Sequence, residues 1–294
     1  MRALIKLFSV SFLICSVLYV FSNIADAATQ INSKSLTFLF IGLDDSPANT
    51  DVLSVVSYDG EANTVRTIQI PRDTCIRHQS ENIKINGYYS SNVNIGKTED
   101  EALDSLVQTV SELLGIEIDG YLALTTEGFV DTVDYLGGIL LSPSDIPEPL
   151  REGDELSREK IRLDGKSALE LVRYRESYKR GDLERLDAQK KIAKAIFSDL
   201  KDSREIFTLL KFVSNHNGIR FALNKGKSIS FLVQNIFKIS DADFQIATLP
   251  GKAIKSEGIS YYVIDKEKAK ALVRGYFPHS SQDFDTNNNF VYRM

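Results

Sequence analysis

Leu36-Thr37-Phe38-Leu39-Phe40-Ile41, then Val52-Leu53-Ser54-Val55-Val56-Ser57-Tyr58, then Thr64-Val65-Arg66-Thr67-Ile68-Gln69-Ile70, form the stretch that decides the fold. Each run is short, rich in β-branched and aromatic residues, and bounded by Gly, Asp, Asn or Pro, which reads as a strand. Asp59-Gly60 marks a turn between the second and third runs. Downstream, Thr98 and Glu101 form a capping-box pattern ahead of Leu103, Leu106, Val107, Val110, Leu113 and Leu114, whose spacing is helical, and Gly115 fits the stop. A strand over 121–124 leads to a helix over 127–136 that Gly137-Gly138 ends, and 139–141 is a further strand. Residues 142–163 are rich in proline and charge and read as an exposed loop. Helices follow over 166–172 and 182–200. The last third mixes helix (206–213, 228–236) with strand (244–249, 260–264). Alternating strands and helices predict an α/β domain with helices on both faces of its sheet.

The chain has 294 residues, 43% apolar and 26% charged, which is globular composition, and it carries no low-complexity stretch or internal repeat. A net charge of −5 argues against a nucleic-acid partner gripped through overall charge. The N-terminus places Arg2 and Lys6 before an apolar run ending near Phe21, with small residues and Ala25-Asp26-Ala27 after it. That is an export signal with an A-x-A cleavage site. The run is also nearly as long as the roughly 20 residues that span a bilayer, so an uncleaved anchor stands as the alternative. Either way the folded part is expected outside the cytoplasmic membrane. The expected organisation is a signal or anchor over 1–27, a linker over 28–35, one domain over 36–279 and a polar tail over 280–294. Cys75 is the only cysteine beyond the signal. An internal disulfide is thereby excluded, and Cys75 reads as a small strand-end residue rather than a nucleophile.

Three clusters carry chemistry. Asp44 ends the first strand and Asp51 opens the second. They share an edge only if those strands are antiparallel. Two carboxylates there would suit Mg²⁺, or Mn²⁺ in its place, together with substrate phosphates. Asp is also a common turn and cap residue, which is the plainer reading. Ile70-Pro71-Arg72-Asp73-Thr74 ends the third strand, with Lys84 shortly after. Arg72 offers a planar fork of donors that matches phosphate oxygens, although an Arg–Asp pair at a strand end is often only a surface ion pair. The third cluster is Val172-Arg173-Tyr174-Arg175 followed by Gly181-Asp182-Leu183-Glu184-Arg185 and Gln189. Arg173 and Arg175 face one side only in extended chain. On the helix after Gly181, the apolar stripe of Leu186, Ala193, Ile196 and Leu200 turns polar at Asp182, Arg185 and Gln189. These polar groups either satisfy one another or line a cavity at a helix N-terminus, where an anion is favoured. The chain lacks the phosphate-binding Gly-Lys-Ser/Thr loop, G-x-G-x-x-G, G-x-S-x-G and His-Glu-x-x-His. Clustered arginines with paired carboxylates point instead to a phosphorylated substrate and a divalent metal.

These motifs, taken in order with Gly42-Leu43-Asp44, Lys84-Ile85-Asn86, Leu136-Gly137-Gly138 and Leu163-Asp164-Gly165-Lys166-Ser167-Ala168-Leu169, resemble the LytR–CpsA–Psr family of cell-wall enzymes over about residues 36–200. The resemblance implies a three-layer α/β/α sandwich with a central mixed sheet, preceded by an N-terminal signal or membrane anchor and working at the membrane surface. It implies transfer of a phosphorylated glycopolymer, of teichoic acid or capsule type, from a polyprenyl pyrophosphate carrier to peptidoglycan. Asp44 and Asp51 would then hold Mg²⁺. Arg72, Lys84, Arg173 and Arg175 would clamp the phosphates, and Asp182, Arg185 and Gln189 would complete the pocket. Asp73 or Asp182 would take the acceptor proton, with nothing in the sequence selecting between them. The chain departs from the family at Asn49 and Ala188, where arginine is usual. A pyrophosphatase using water as acceptor, and a non-catalytic binder of lipid-linked wall precursors, are the competing readings.

Overall fold

The computed structural model describes residues 35–44, 49–151, 159–174, 211–213, 215–223 and 243–278. In chain order its strands are β1 (Ser35–Leu43), β2 (Thr50–Asp59), β3 (Thr64–Gln69), β4 (Cys75–His78), β5 (Glu81–Lys84), β6 (Gly120–Leu124), β7 (Ile139–Leu141), β8 (Ile161–Leu163), β9 (Ile219–Leu223), β10 (Asp243–Thr248), β11 (Gly251–Ser256) and β12 (Ile259–Ile264). Its helices are α1 (Tyr88–Asn94), α2 (Glu99–Leu114), α3 (Thr126–Tyr135), α4 (Gly165–Arg173) and α5 (Lys266–Tyr276). Six strands form one sheet in the order β10-β3-β2-β1-β6-β9. β1 pairs with β2 antiparallel and with β6 parallel, β2 pairs with β3 antiparallel, and β3 pairs with β10 parallel. So β1, β3, β6 and β10 run one way, and their carboxyl ends meet at one edge of a mixed sheet. The pairs β4–β5, β7–β8 and β11–β12 are separate antiparallel hairpins or ribbons.

Alternation along β1 sets the layers. Leu39 and Ile41 point into the main core with Val55, Ile68, Leu103, Leu106, Val110, Ala269 and Val273, so α2 and α5 cover that face. Leu36 points the other way and clusters with Tyr58 and Val65, against which Phe38, Val56 and Phe244 pack. The α2 start is the capping box read from sequence: the Thr98 hydroxyl accepts from Glu101 N, and the Glu101 carboxylate accepts from Thr98 N. Bonds donated to that carboxylate by the Thr98 N and hydroxyl hold it below its usual range. Gly115 ends α2 in the left-handed conformation.

The stretch 142–163 corrects the exposed-loop reading. It contains β8, which pairs with β7, and it buries Ile146, Ile161 and Leu163 in a second cluster with Val133, Ala168 and Leu171. Its apolar residues are too sparse among prolines and charges to show a period. The hairpin β4–β5, α1, β9 and β11 are also present without having been read from sequence. The expected helices over 182–200 and 228–236, and the signal or anchor over 1–27, lie outside the described residues. Among the described residues no helix is long and apolar enough to cross a membrane.

Leu106 is fully buried in the main core. Leu106→Ala is expected to lower the unfolding free energy by about 2–5 kcal/mol, seen as a reduced urea midpoint with unchanged slope.

Candidate active site at the sheet edge

The antiparallel pairing of β1 and β2 brings Asp44 and Asp51 to the same edge. Pairing runs in regular register up to Gly42 with Val52, then shifts so that Leu43 faces Thr50. Asp51 is the extra residue of this bulge, a device that re-aims a side chain out of the ladder. Gly42 packs tightly there: a Cβ on it would lie 3.0 Å from the Val52 Cβ. The turn between the strands closes with Asp44 N donating to Asn49 O at 2.9 Å.

Arg72 and Asp73 follow β3 at the same edge. Pro71 ends the ladder and starts a tight turn, in which Thr74 N donates to Pro71 O at 2.9 Å. The β4–β5 hairpin returns the chain so that Cys75 faces Lys84. Beyond it, Ile85 N donates to Thr74 O at 2.8 Å and Asn86 N to Arg72 O at 3.1 Å, and Tyr262 N from β12 donates to Asp73 O at 2.7 Å. The backbone of Arg72 and Asp73 is thus fixed from two sides. The Thr50 hydroxyl reaches Asn86 O at 3.4 Å, and the Ser90 hydroxyl reaches Asn49 Oδ1 at 3.4 Å, which joins α1 to the β1–β2 turn.

Arg173 is the last residue of α4, one residue beyond the helix expected from sequence. The α4 start is held by Asp164, whose carboxylate accepts from Ser167 N at 2.8 Å, and by Asp134, which accepts from Gly165 N at 2.7 Å. A Cβ at Gly165 would lie 2.3 Å from Val130 O, so only glycine allows α4 this close to α3.

The side chains then pair by charge. Arg72 Nη1 donates to Asp51 Oδ1 at 2.8 Å. Arg173 Nη2 lies 3.5 Å from Asp44 Oδ1 and donates to the Thr126 hydroxyl at 2.8 Å. Lys84 Nζ lies 3.0 Å from Asp73 Oδ1. The three carboxylates are each 40% exposed, so these pairs face solvent and hold one another weakly, at about 0–1 kcal/mol each. Asp44, Asp51, Arg72, Asp73, Lys84 and Arg173 are therefore gathered at one edge, while Arg175, Asp182, Arg185 and Gln189 lie outside the described residues. Thr126 was missed by the sequence reading, because Thr125-Thr126 reads only as a helix start. Thr125 does cap α3, accepting from Gly128 N at 3.0 Å, which leaves the Thr126 hydroxyl for Arg173.

The donor set fits a hard cation. Mg²⁺ takes one or two carboxylates and fills its remaining positions with water and phosphate oxygens. Asp44 and Asp51 offer that arrangement, whereas no group of three or more His, Cys, Asp or Glu among the described residues offers an all-protein cage. Cys75 is no nucleophile: it is 1% exposed, and burial pushes its thiol up to about 11.

A profile of the LytR_cpsA_psr family matches residues 21–275. The chain is 30% identical over 202 residues to polyisoprenyl-teichoic acid–peptidoglycan teichoic acid transferase TagV of Bacillus subtilis, an alignment that covers 63% of this chain and 49% of that protein. It therefore spans about half the length of TagV. It is 26% identical over 255 residues to the transferase of the same name, TagU, of Bacillus mycoides, covering 83% of this chain and 78% of that one. The crystal structure of B. subtilis TagV superposes with a TM-score of 0.63 at 23% identity, over 84% of this chain and 99% of that chain. At that identity the likeness is one of fold.

With Cys15→Ser removing the other cysteine, Cys75 is expected to resist a thiol-reactive dye at pH 8 in the folded chain and to react stoichiometrically in denaturant. Absorbance of the released dye measures both.

Proposed function

The chain belongs to the LytR–CpsA–Psr family, and from that premise we propose that it transfers a phosphorylated glycopolymer from a polyprenyl pyrophosphate carrier to peptidoglycan. The observation that carries this reading is the pairing of two carboxylates with two arginines, Asp51 with Arg72 and Asp44 with Arg173, at the carboxyl ends of β1, β3 and β6. Strand carboxyl ends are where α/β sheets place their ligands. The relatives TagV and TagU carry the name of that reaction for teichoic acid.

In this reading a sugar hydroxyl of peptidoglycan attacks the phosphorus next to the polymer sugar. A new oxygen–phosphorus bond forms, the bond to the bridging pyrophosphate oxygen breaks, and prenyl phosphate leaves with the electron pair. Arg72 and Arg173 turn from their carboxylates to the phosphoryl oxygens and meet the charge that develops there. The exposed pairs give way at small cost. The hydroxyl proton passes to a carboxylate, Asp73 at the edge or Asp182 as the resemblance implies. Lys84 Nζ contacts Asp73 Oδ1 at 3.0 Å and orients that carboxylate at the edge. Asp44 and Asp51 would hold Mg²⁺, or Mn²⁺, whose Lewis acidity would supply further charge neutralisation at the phosphoryl group. The family resemblance would add Arg175 to the phosphate clamp of Arg72, Lys84 and Arg173, and Asp182, Arg185 and Gln189 to the pocket.

The finer architecture belongs to the same proposal. The three-layer α/β/α sandwich of the family would put helices on both faces of this sheet. Residues 1–27 would be the signal or anchor that puts the domain, 36–279, on the extracytoplasmic side at the membrane surface, where lipid-linked glycan and peptidoglycan are displayed.

The test is turnover of a lipid-linked glycan with Mg²⁺ and peptidoglycan. Arg72→Ala is expected to lower kcat by about 10²- to 10³-fold, with circular dichroism unchanged. Equal turnover by the folded variant removes the arginine from the mechanism. Prenyl phosphate release that does not depend on peptidoglycan, with no polymer-linked product, replaces the transferase with a pyrophosphatase.

A further inference from the structure

We propose that Thr126 is a positioning residue that holds the Arg173 guanidinium at the sheet edge for a diphosphate, an inference that rests on the phosphate-binding reading of this site. Two contacts of Arg173 differ in kind. Its contact with Asp44 is long, at 3.5 Å, and in the proposed reaction Asp44 turns to the cation. Its bond to the Thr126 hydroxyl is short, at 2.8 Å, and Thr126 is uncharged, so neither a cation nor a phosphate competes for it by charge. When Asp44 is engaged elsewhere, Thr126 remains to hold the guanidinium.

The two residues are also mounted differently. Arg173 is a long side chain at the end of α4, with its side chain 51% exposed. Left alone it would sample many rotamers, and binding would carry the cost of ordering it. Thr126 is the first residue of α3, separated only by Thr125 from the end of β6, which pairs with β1. Its neighbour Thr125 is fixed twice, donating from its backbone N to Gly218 O at 2.9 Å and accepting from Gly128 N at 3.0 Å. Gly128 and Gly218 approach so closely that a Cβ on Gly128 would lie 2.3 Å from Gly218 O. The Thr126 hydroxyl therefore projects from a corner of the sheet edge whose backbone is held on both sides. A rigid acceptor that orients a mobile cation removes part of that ordering cost before ligand arrives. The hydroxyl accepts one N–H of the Arg173 guanidinium, a group that carries five such donors.

The experiment is calorimetric titration of inorganic pyrophosphate, with Mg²⁺ present, into the full chain and four variants: Thr126→Val, Thr126→Ser, Arg173→Ala, and Arg173→Ala combined with Thr126→Val. Melting temperatures establish that each variant is folded. Arg173→Ala is expected to weaken binding roughly ten- to hundredfold, as for a lost bond to a charged group, and Thr126→Val roughly three- to tenfold. Thr126→Ser restores wild-type affinity. In the Arg173→Ala background Thr126→Val has no further effect, because the threonine acts only through that arginine. Wild-type affinity in Thr126→Val beside a weakened Arg173→Ala overturns the Thr126 assignment alone. So does a Thr126→Val effect that persists without Arg173, or a serine variant that behaves like valine. If Arg173→Ala binds as wild type does, or wild type fails to bind, the phosphate reading falls and the Thr126 assignment falls with it.

Discussion

The site depends on one constraint: opposite charges must be kept side by side at an edge that water reaches. Three carboxylates and three cations from separate parts of the chain meet there, and each carboxylate has a cationic partner within 3.5 Å. Buried, such pairs would hold tightly, and removing one partner would leave an uncompensated charge. Half exposed, they hold weakly and exchange readily. A ligand bearing negative phosphates and a bound cation presents both signs at once. It can take the arginines and the aspartates together, so no charge is stranded during the exchange.

The backbone sets this arrangement by making local irregularities where regular structure would fail. A straight β1–β2 ladder would keep Asp51 in the pleat; the bulge opposite Leu43 turns it out, beside the tight packing of Gly42 on Val52. Pro71 ends β3 so that Arg72 leaves the sheet, and the β4–β5 hairpin brings Lys84 back to Asp73. The close packing of α4 on α3 at Gly165 delivers Arg173 to the end of β6. A closely packed glycine, at Gly42 and Gly165, or a proline, at Pro71, stands beside three of these redirected side chains.

Much of this was legible in the sequence. The three opening strands, the capping box at Thr98 and the α2 stripe were plain, because period, cap and stop agree there. Asp44, Asp51 and Arg72 could be named from their places at strand ends. What stayed hidden depended on contacts far apart in sequence. The bulge at Asp51 is a matter of pairing register, which no single strand reveals. Thr126 meets Arg173 across 47 positions, and threonine at a helix start already has a sufficient local explanation. Stretch 142–163 hid β8 because three residues are too few to show alternation. The family resemblance gathered the arginines into one site, a step that spacing alone did not support.

The most direct measurement is a crystal structure of the chain soaked with a polyprenyl pyrophosphate and Mg²⁺. The account predicts one cation on Asp44 and Asp51, with Arg72 and Arg173 turned from those aspartates onto the diphosphate oxygens. A diphosphate bound away from this edge, or one bound here with the Asp51–Arg72 and Asp44–Arg173 pairs still intact, would contradict it.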